Sequence, residues 1–117
     1  PPKSANDDAE EESEDDVFVV VERMPELKGG IRAVQEKVQY PELARKADIE
    51  GRVVVQFVID ENGNPINPRV IRGIGGGCDK EAIRVVKQLE FTPGMQRGKP
   101  VKVQFTLPIN FQLRHKN

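Results

Sequence analysis

The sequence predicts an α+β fold of two layers, a three-stranded antiparallel sheet with helices packed on one face. Three observations predict it. Residues 52–60 and 100–113 follow a period of two, the first with Val53, Val55, Phe57 and Ile59 on one face and Val54, Gln56, Val58 and Asp60 on the other, the second in clean apolar–polar alternation, the mark of a strand with one buried and one wet face. An Asn-Gly turn at Asn62–Gly63 joins the first of these to a further strand-like segment. Between the second and last strands, Ala82, Ile83, Val86 and Leu89 recur at helical spacing.

Residues 1–16 carry eight carboxylates, from Asp7 to Asp16, against the single Lys3. A run of like charge with almost no apolar side chain cannot bury enough surface to offset chain entropy. This segment therefore reads as a disordered acidic linker, and residues 17–117 as the folded domain, with its core in 39–113. Outside the linker, 17 Lys+Arg stand against 11 Asp+Glu, so the domain is basic although the whole chain carries −1. The basic residues are scattered, and with five Phe, one Tyr and no Trp there is no stacking platform. Nucleic acid is not an expected partner.

Val17–Arg23 is β-branched and fits a short strand or an extended arm. Met24-Pro25 breaks it, since proline removes a donor and restricts the residue before it. Gly29-Gly30 opens a helix whose apolar side is Ile31, Val34 and Val38. Pro41 suits the first turn of a second helix over Pro41–Ala47, with Leu43, Ala44 and Ala47 as its apolar side. Gly51 closes that region. In the first strand Val53, Val55, Phe57 and Ile59 share a face. The turn at Asp60–Asn64 leads to Pro65–Arg72, where Pro65 and Pro68 predict an edge strand. Gly73–Gly77 is a flexible connection, Asp79 is expected to cap the third helix, and Phe91–Gly94 ends it. Met95–Lys99 reads as loop. In the last strand Val101, Val103, Phe105, Leu107, Ile109, Phe111 and Leu113 face inward. A right-handed crossover puts this strand beside the first, giving the sheet order second-first-last and leaving the last strand at an edge.

Catalytic chemistry finds no footing. Cys78 is the only cysteine, so it reads as a small buried apolar residue. His115, the only histidine, stands near the chain end, which removes metal clusters and His-based triads. Gly73–Lys80 lacks the Gly-Lys-Ser/Thr ending of a phosphate loop, and Asp79 would repel phosphate there. Asp60-Glu61-Asn62-Gly63 lacks the downstream glutamate of a calcium loop, because the required position falls on Ile71. No enzyme, metal or cofactor is expected, and the longest aliphatic and aromatic run, Val17–Val21, is far too short to span a membrane.

The long last strand exposes unpaired N–H and C=O groups. Two readings stand: an edge guarded by Lys102, Gln104, Asn110 or the Val17–Val21 arm, and an edge that accepts a partner peptide as an added strand. Net hydrogen bonds of ~0.5–1.5 kcal/mol each, less the cost of association, give reversible binding.

Residues 39–113 resemble the TonB C-terminal domain family. The resemblance is carried by Tyr40-Pro41 with Ala44, by Ile49–Phe57, by Asp60, Gly63 and Pro68–Arg72, and by Asp79 with Ala82. It continues through Phe91-Thr92-Pro93-Gly94, Gly98-Lys99-Pro100-Val101 and Pro108-Ile109-Asn110-Phe111. Met24–Gly30 and Gly73–Asp79 are similar to the version found in Bacteroidetes-like bacteria. The resemblance implies the periplasmic end of an inner-membrane-anchored energy transducer of a Gram-negative bacterium. Such a domain binds the TonB box peptide of outer-membrane transporters, and an ExbB/ExbD motor drives it with the proton gradient for nutrient uptake. It implies a peptide site at Val101, Lys102, Val103, Gln104, Phe105 and Thr106, flanked by Gln39 and Tyr40; core packing accounts for Tyr40 equally well. Alternatives are an accessory module of another membrane protein, such as a sensor-peptidase fusion, and a cell-wall-binding domain. An exposed edge also permits a homodimer.

Overall fold

The computed structural model describes residues 16–113. The expected linker, apart from Asp16, and His115 lie outside the described residues. The elements are β1 (Val17–Phe18), β2 (Glu26–Leu27), α1 (Gly30–Lys37), α2 (Glu42–Lys46), β3 (Gly51–Ile59), β4 (Pro65–Arg72), α3 (Cys78–Lys87), β5 (Phe91–Thr92), β6 (Gly94–Gln96) and β7 (Lys99–Phe111).

The fold is α+β, but the sheet is larger than expected. It has five strands rather than three. Its main path runs β1-β7-β3-β4, so the three long strands keep the order second-first-last within it, and β6 pairs with β7 off that path. Proline-bearing β4 is an outer strand, as its missing donors require. β3 and β7 are antiparallel in unbroken register from Gly51–Phe111 to Ile59–Val103. Two corrections come from short pieces. Met95–Lys99 is not loop: Gly94–Gln96 and Lys99–Val101 form a hairpin. Both residues at its tip, Arg97 (φ 52°) and Gly98 (φ 76°), have positive φ, as hairpin turns that follow the sheet twist demand. Phe91–Thr92 does more than end a helix, since it pairs with Glu26–Leu27 in a second, two-stranded sheet.

The apolar set inferred from alternation is the core. Val53, Val55, Phe57, Ile59, Val103, Ile109 and Phe111 are essentially inaccessible, and so are Ala82, Val85 and Val86 of α3 and the lone Cys78. Phe57, Phe91 and Phe105 pack with ring centroids 5.4–5.8 Å apart. The short helix α2 departs from expectation. Ala44 is buried, whereas Leu43 is 65% exposed and Ala47 is also exposed. Five residues give fewer than two turns, too few to hold a whole apolar face against the sheet. Asp79 is also not the helix cap. Gly77 (φ 88°) holds that position, and the Asp79 carboxylate accepts hydrogen bonds from the Ile74 and Gly75 N–H groups at 2.9 and 3.2 Å, closing the glycine loop.

The turn after β3 is fixed by one carboxylate and one glycine. Asp60 Oδ1 accepts from the N–H groups of Asn62 and Asn64, both at 2.9 Å. Gly63 has φ 87°, and a Cβ there would stand 1.9 Å from the Phe91 carbonyl oxygen. The Gly63 carbonyl also accepts from the Phe91 N–H at 3.0 Å, so turn and β5 are locked face to face. Gly63→Ala is expected to destabilise the domain by roughly 2–4 kcal/mol, read as a fall in urea midpoint; a change below about 0.5 kcal/mol would show that this contact is dispensable.

Candidate functional site

β7 has one side on β3 and one side facing out. Val101 pairs with Gly94 of the β6 hairpin, which by alternation continues the line of β3 rather than occupying the outer side. Lys102 and Val103 pair in parallel with Val17 and Phe18. From Gln104 to Phe111, no strand among the described residues pairs with that side.

Pro108 orients the open segment. Proline in a paired strand sits where its missing N–H would have pointed away from the neighbour, and Pro108 stands opposite Val54 of β3. With strict alternation, Gln104, Thr106, Pro108 and Asn110 direct their backbone groups outward, while Phe105, Leu107 and Ile109 direct theirs to β3. The open side thus offers N–H groups at Gln104, Thr106 and Asn110 and carbonyls at all four positions.

A groove of about 400 Å³ runs along the far end of this side, lined by Ile31, Val34, Gln35, Val38, Tyr40, Pro108, Asn110, Phe111 and Gln112. Side chains from both faces of β7 line it, as expected of a groove at the strand's open side. Its opposite wall is α1. Val34 is 2% exposed and Phe111 1%, so they form the floor, while Ile31 is 58% exposed and forms the rim. A strand added beside β7 places every second side chain on the sheet face that meets α1. A wider depression of about 670 Å³ lies over Glu50, Arg52, Val54, Arg72, Ile74, Asn110 and Gln112. There β3 is already paired on both sides, so it offers side chains but no free ladder.

Tyr40 is held in the groove from several directions. Its hydroxyl donates to the Ile49 carbonyl, and its ring meets Phe111 edge-on at 5.7 Å and 84°. Burial, followed by the nearby Cys78, Glu50 and Asp48, raises its pKa, which keeps the hydroxyl a donor. The segment carrying it is clamped to α3. Glu81 accepts from the Gln39 N–H at 2.7 Å and pairs with Arg84 at 2.7 and 2.9 Å. Arg84 in turn donates to the Lys37 carbonyl at 2.8 Å. The hydrogen bonds from Arg84 hold the Glu81 carboxyl below its ordinary pKa despite partial burial.

The residues expected to form one site are therefore spread along the strand. Val101 belongs to the β6 hairpin, and Lys102 and Val103 are covered by β1. Gln104 and Thr106 lie on the open side, and the Phe105 side chain belongs to the aromatic cluster. Gln39 and Tyr40 flank the opposite end of β7, by Phe111, roughly 30 Å from Val101 at ~3.3 Å per residue. Ile31, Val34, Val38, Pro108 and Asn110 complete the groove. The first three carried a signal, their helical spacing, but that spacing reads equally as core.

Because Glu81 has a lowered folded-state pKa, its contribution to stability is present above the ordinary glutamate value and is lost as pH falls through the lowered one. Glu81→Gln is expected to flatten this part of the stability–pH curve in urea titrations and to broaden the Gln39 and Tyr40 amide signals. An unchanged curve would remove the clamp from the account.

Comparison with known proteins agrees with this architecture. The sequence model for the Gram-negative bacterial TonB protein C-terminal matches residues 36–113. The chain is 33% identical over 87 residues to Protein TonB of Vibrio cholerae, covering 74% of this chain and 36% of that protein, so it spans about a third of that relative's length. Its fold is similar to the solution structure of the Pseudomonas aeruginosa TonB C-terminal domain (TM-score 0.56, 29% identity, 68% of this chain and 81% of that one). It is also similar to a Helicobacter pylori TonB C-terminal domain (TM-score 0.55, 26% identity, 74% and 78%). With the family matched across the three long strands and all of α3, this chain belongs to the TonB C-terminal domain family.

Proposed function

We propose that this domain is the periplasmic, partner-binding end of a TonB-type energy transducer, and that it grips the TonB box peptide of outer-membrane transporters by strand addition to the Gln104–Phe111 side of β7. The observation that carries the reading is the open ladder beside a preformed groove. Backbone groups on the strand supply sequence-tolerant hydrogen bonds, and the wall of Ile31, Val34 and Val38 meets every second side chain. The fitting ligand is an extended peptide with apolar side chains two residues apart.

Force transmission suits the same geometry. β7 is held to β3 along most of its length, so load on an added strand passes into the sheet rather than into a loop. The drive would come from an ExbB/ExbD motor acting through an anchor upstream of Pro1. No helix among the described residues is long and apolar enough to cross a membrane. Neither the ligand nor the force-bearing role calls on acid–base or metal chemistry. A second copy of the domain could add through the same edge, and would then compete with the peptide.

Titration of the 15N-labelled domain with N-terminal peptides of TonB-dependent transporters tests the reading. Shifts are expected at Gln104–Phe111, Ile31–Val38 and Tyr40. Gln104→Pro is expected to weaken binding tenfold or more with the fold retained, because its N–H points away from β3. Ile31→Asp, on the exposed rim, is expected to weaken binding about tenfold while changing stability by less than about 0.5 kcal/mol. A folded monomer that shifts with glycan strands and with no such peptide would replace this reading by the cell-wall one.

A further inference from the structure

The part of β7 that strand addition would extend into is already taken by the protein's own chain. Val17 and Phe18 lie parallel to Lys102 and Val103 on the side opposite β3. Val19 and Val20 would face Gln104 and Phe105 if the pairing continued. Instead they turn outward and are 62% and 78% exposed.

The cause lies immediately downstream. Val21 is 8% exposed, held within the fold. Arg23 and Met95 exchange backbone hydrogen bonds at 3.1 and 2.9 Å. The Glu22 N–H donates to Gln96 Oε1 at 3.0 Å, and the Arg97 N–H donates to Glu22 Oε1 at 2.9 Å. The chain is therefore fastened at residues 21–23, while upstream of them the strand pairing with the edge among the described residues is that of Val17 and Phe18.

We propose that the Val17–Phe18 arm is a built-in occupant of the peptide-binding edge, whose release lengthens the ladder open to a partner strand from Gln104–Phe111 to Lys102–Phe111. The inference rests on the strand-addition reading above and names a regulation of that site. Its physical basis is the contrast between the two attachments. A short parallel pair at an exposed edge opens at little cost, whereas the Val21–Arg23 anchor combines a buried side chain with several hydrogen bonds. Tension arriving from upstream of Val17 reaches the short pair before it reaches the anchor. Pulling on the domain would thus uncover the outward backbone N–H and carbonyl of Lys102 for a partner already seated at Gln104–Phe111 and tighten the grip under load.

The test uses the full 117-residue chain in three forms: unmodified, Phe18→Pro, and Val17→Cys with Lys102→Cys. Paired strands lie ~4.8 Å apart, within disulfide range, and Cys78 is fully buried and does not compete. The probes are an eight-residue transporter peptide and versions extended by three residues at either end. Phe18→Pro removes a donor from the arm. It is expected to tighten one extended peptide by about five- to tenfold, the yield of one or two net hydrogen bonds, and to leave the eight-residue peptide within about twofold. The oxidised cross-link is expected to abolish the advantage of that extended peptide, and reduction to restore it. Equal affinities for short and extended peptides in all three forms, or equal tightening of both by Phe18→Pro, would overturn the arm's role while leaving strand addition standing. Failure of every peptide to bind every form would remove strand addition itself, and this inference with it.

Discussion

The pairing of β7 with β3, continuous from Gly51–Phe111 to Ile59–Val103, is the constraint on which the other features depend. It assigns each residue of β7 to one of two faces and each backbone group to one of two sides. Odd-numbered side chains from Val103 to Phe111 go to the helix layer, where all but the half-buried Phe105 are sealed. Even-numbered residues keep polar side chains on the helix-free face and, by the position of Pro108, turn their backbone outward. Core and edge are thus two consequences of one register. A slip by a single residue would expose the aromatic cluster and reverse the edge together.

The rest of the molecule holds that register and shapes what stands beside it. Gly63 brings the β3–β4 turn against Phe91, which fixes one end of the aromatic cluster. The Glu81–Arg84 pair ties Lys37 and Gln39 to α3, and this sets α1 and Tyr40 alongside the far end of β7. The groove is the space left between a helix held by side-chain hydrogen bonds and a strand held by backbone ones. Its wall can therefore change by substitution without disturbing the ladder.

The residues of the candidate site differ in how far the sequence alone shows them. The strand was plain, because alternation over Pro100–Leu113 has one good physical explanation. Gln104 and Thr106 follow from the strand alone, and Tyr40 was singled out by resemblance. Ile31, Val34 and Val38 were seen as an apolar helix face, yet the spacing that buries Val34 is the same spacing that leaves Ile31 at a rim. The β6 hairpin carries a weak sequence signal because its tip puts Arg97, a residue with a Cβ, at positive φ, where glycine or asparagine is the usual signal. Asp79 takes a different role from the cap that its position suggests. A carboxylate near a helix start caps the helix in most settings, and here the glycine loop preceding it supplies two N–H groups that it binds instead.

The sequence by itself determined the α+β class, the three long strands, the turn at Gly63 and the third helix, since each rests on contacts between near neighbours or on a periodicity that one segment carries alone; the relative order of the long strands follows from the handedness of the crossover, and the family from the order and spacing of short motifs. Only the tertiary structure decided that the sheet has five strands, that Lys102 and Val103 are covered while Gln104–Phe111 stays open, and that α1 faces the open stretch. Val17 meets Lys102 across most of the chain, and Arg84 meets Lys37 across nearly half of it. Such pairings are chosen by which surfaces remain free once the core has closed, and no local pattern of residues encodes that remainder.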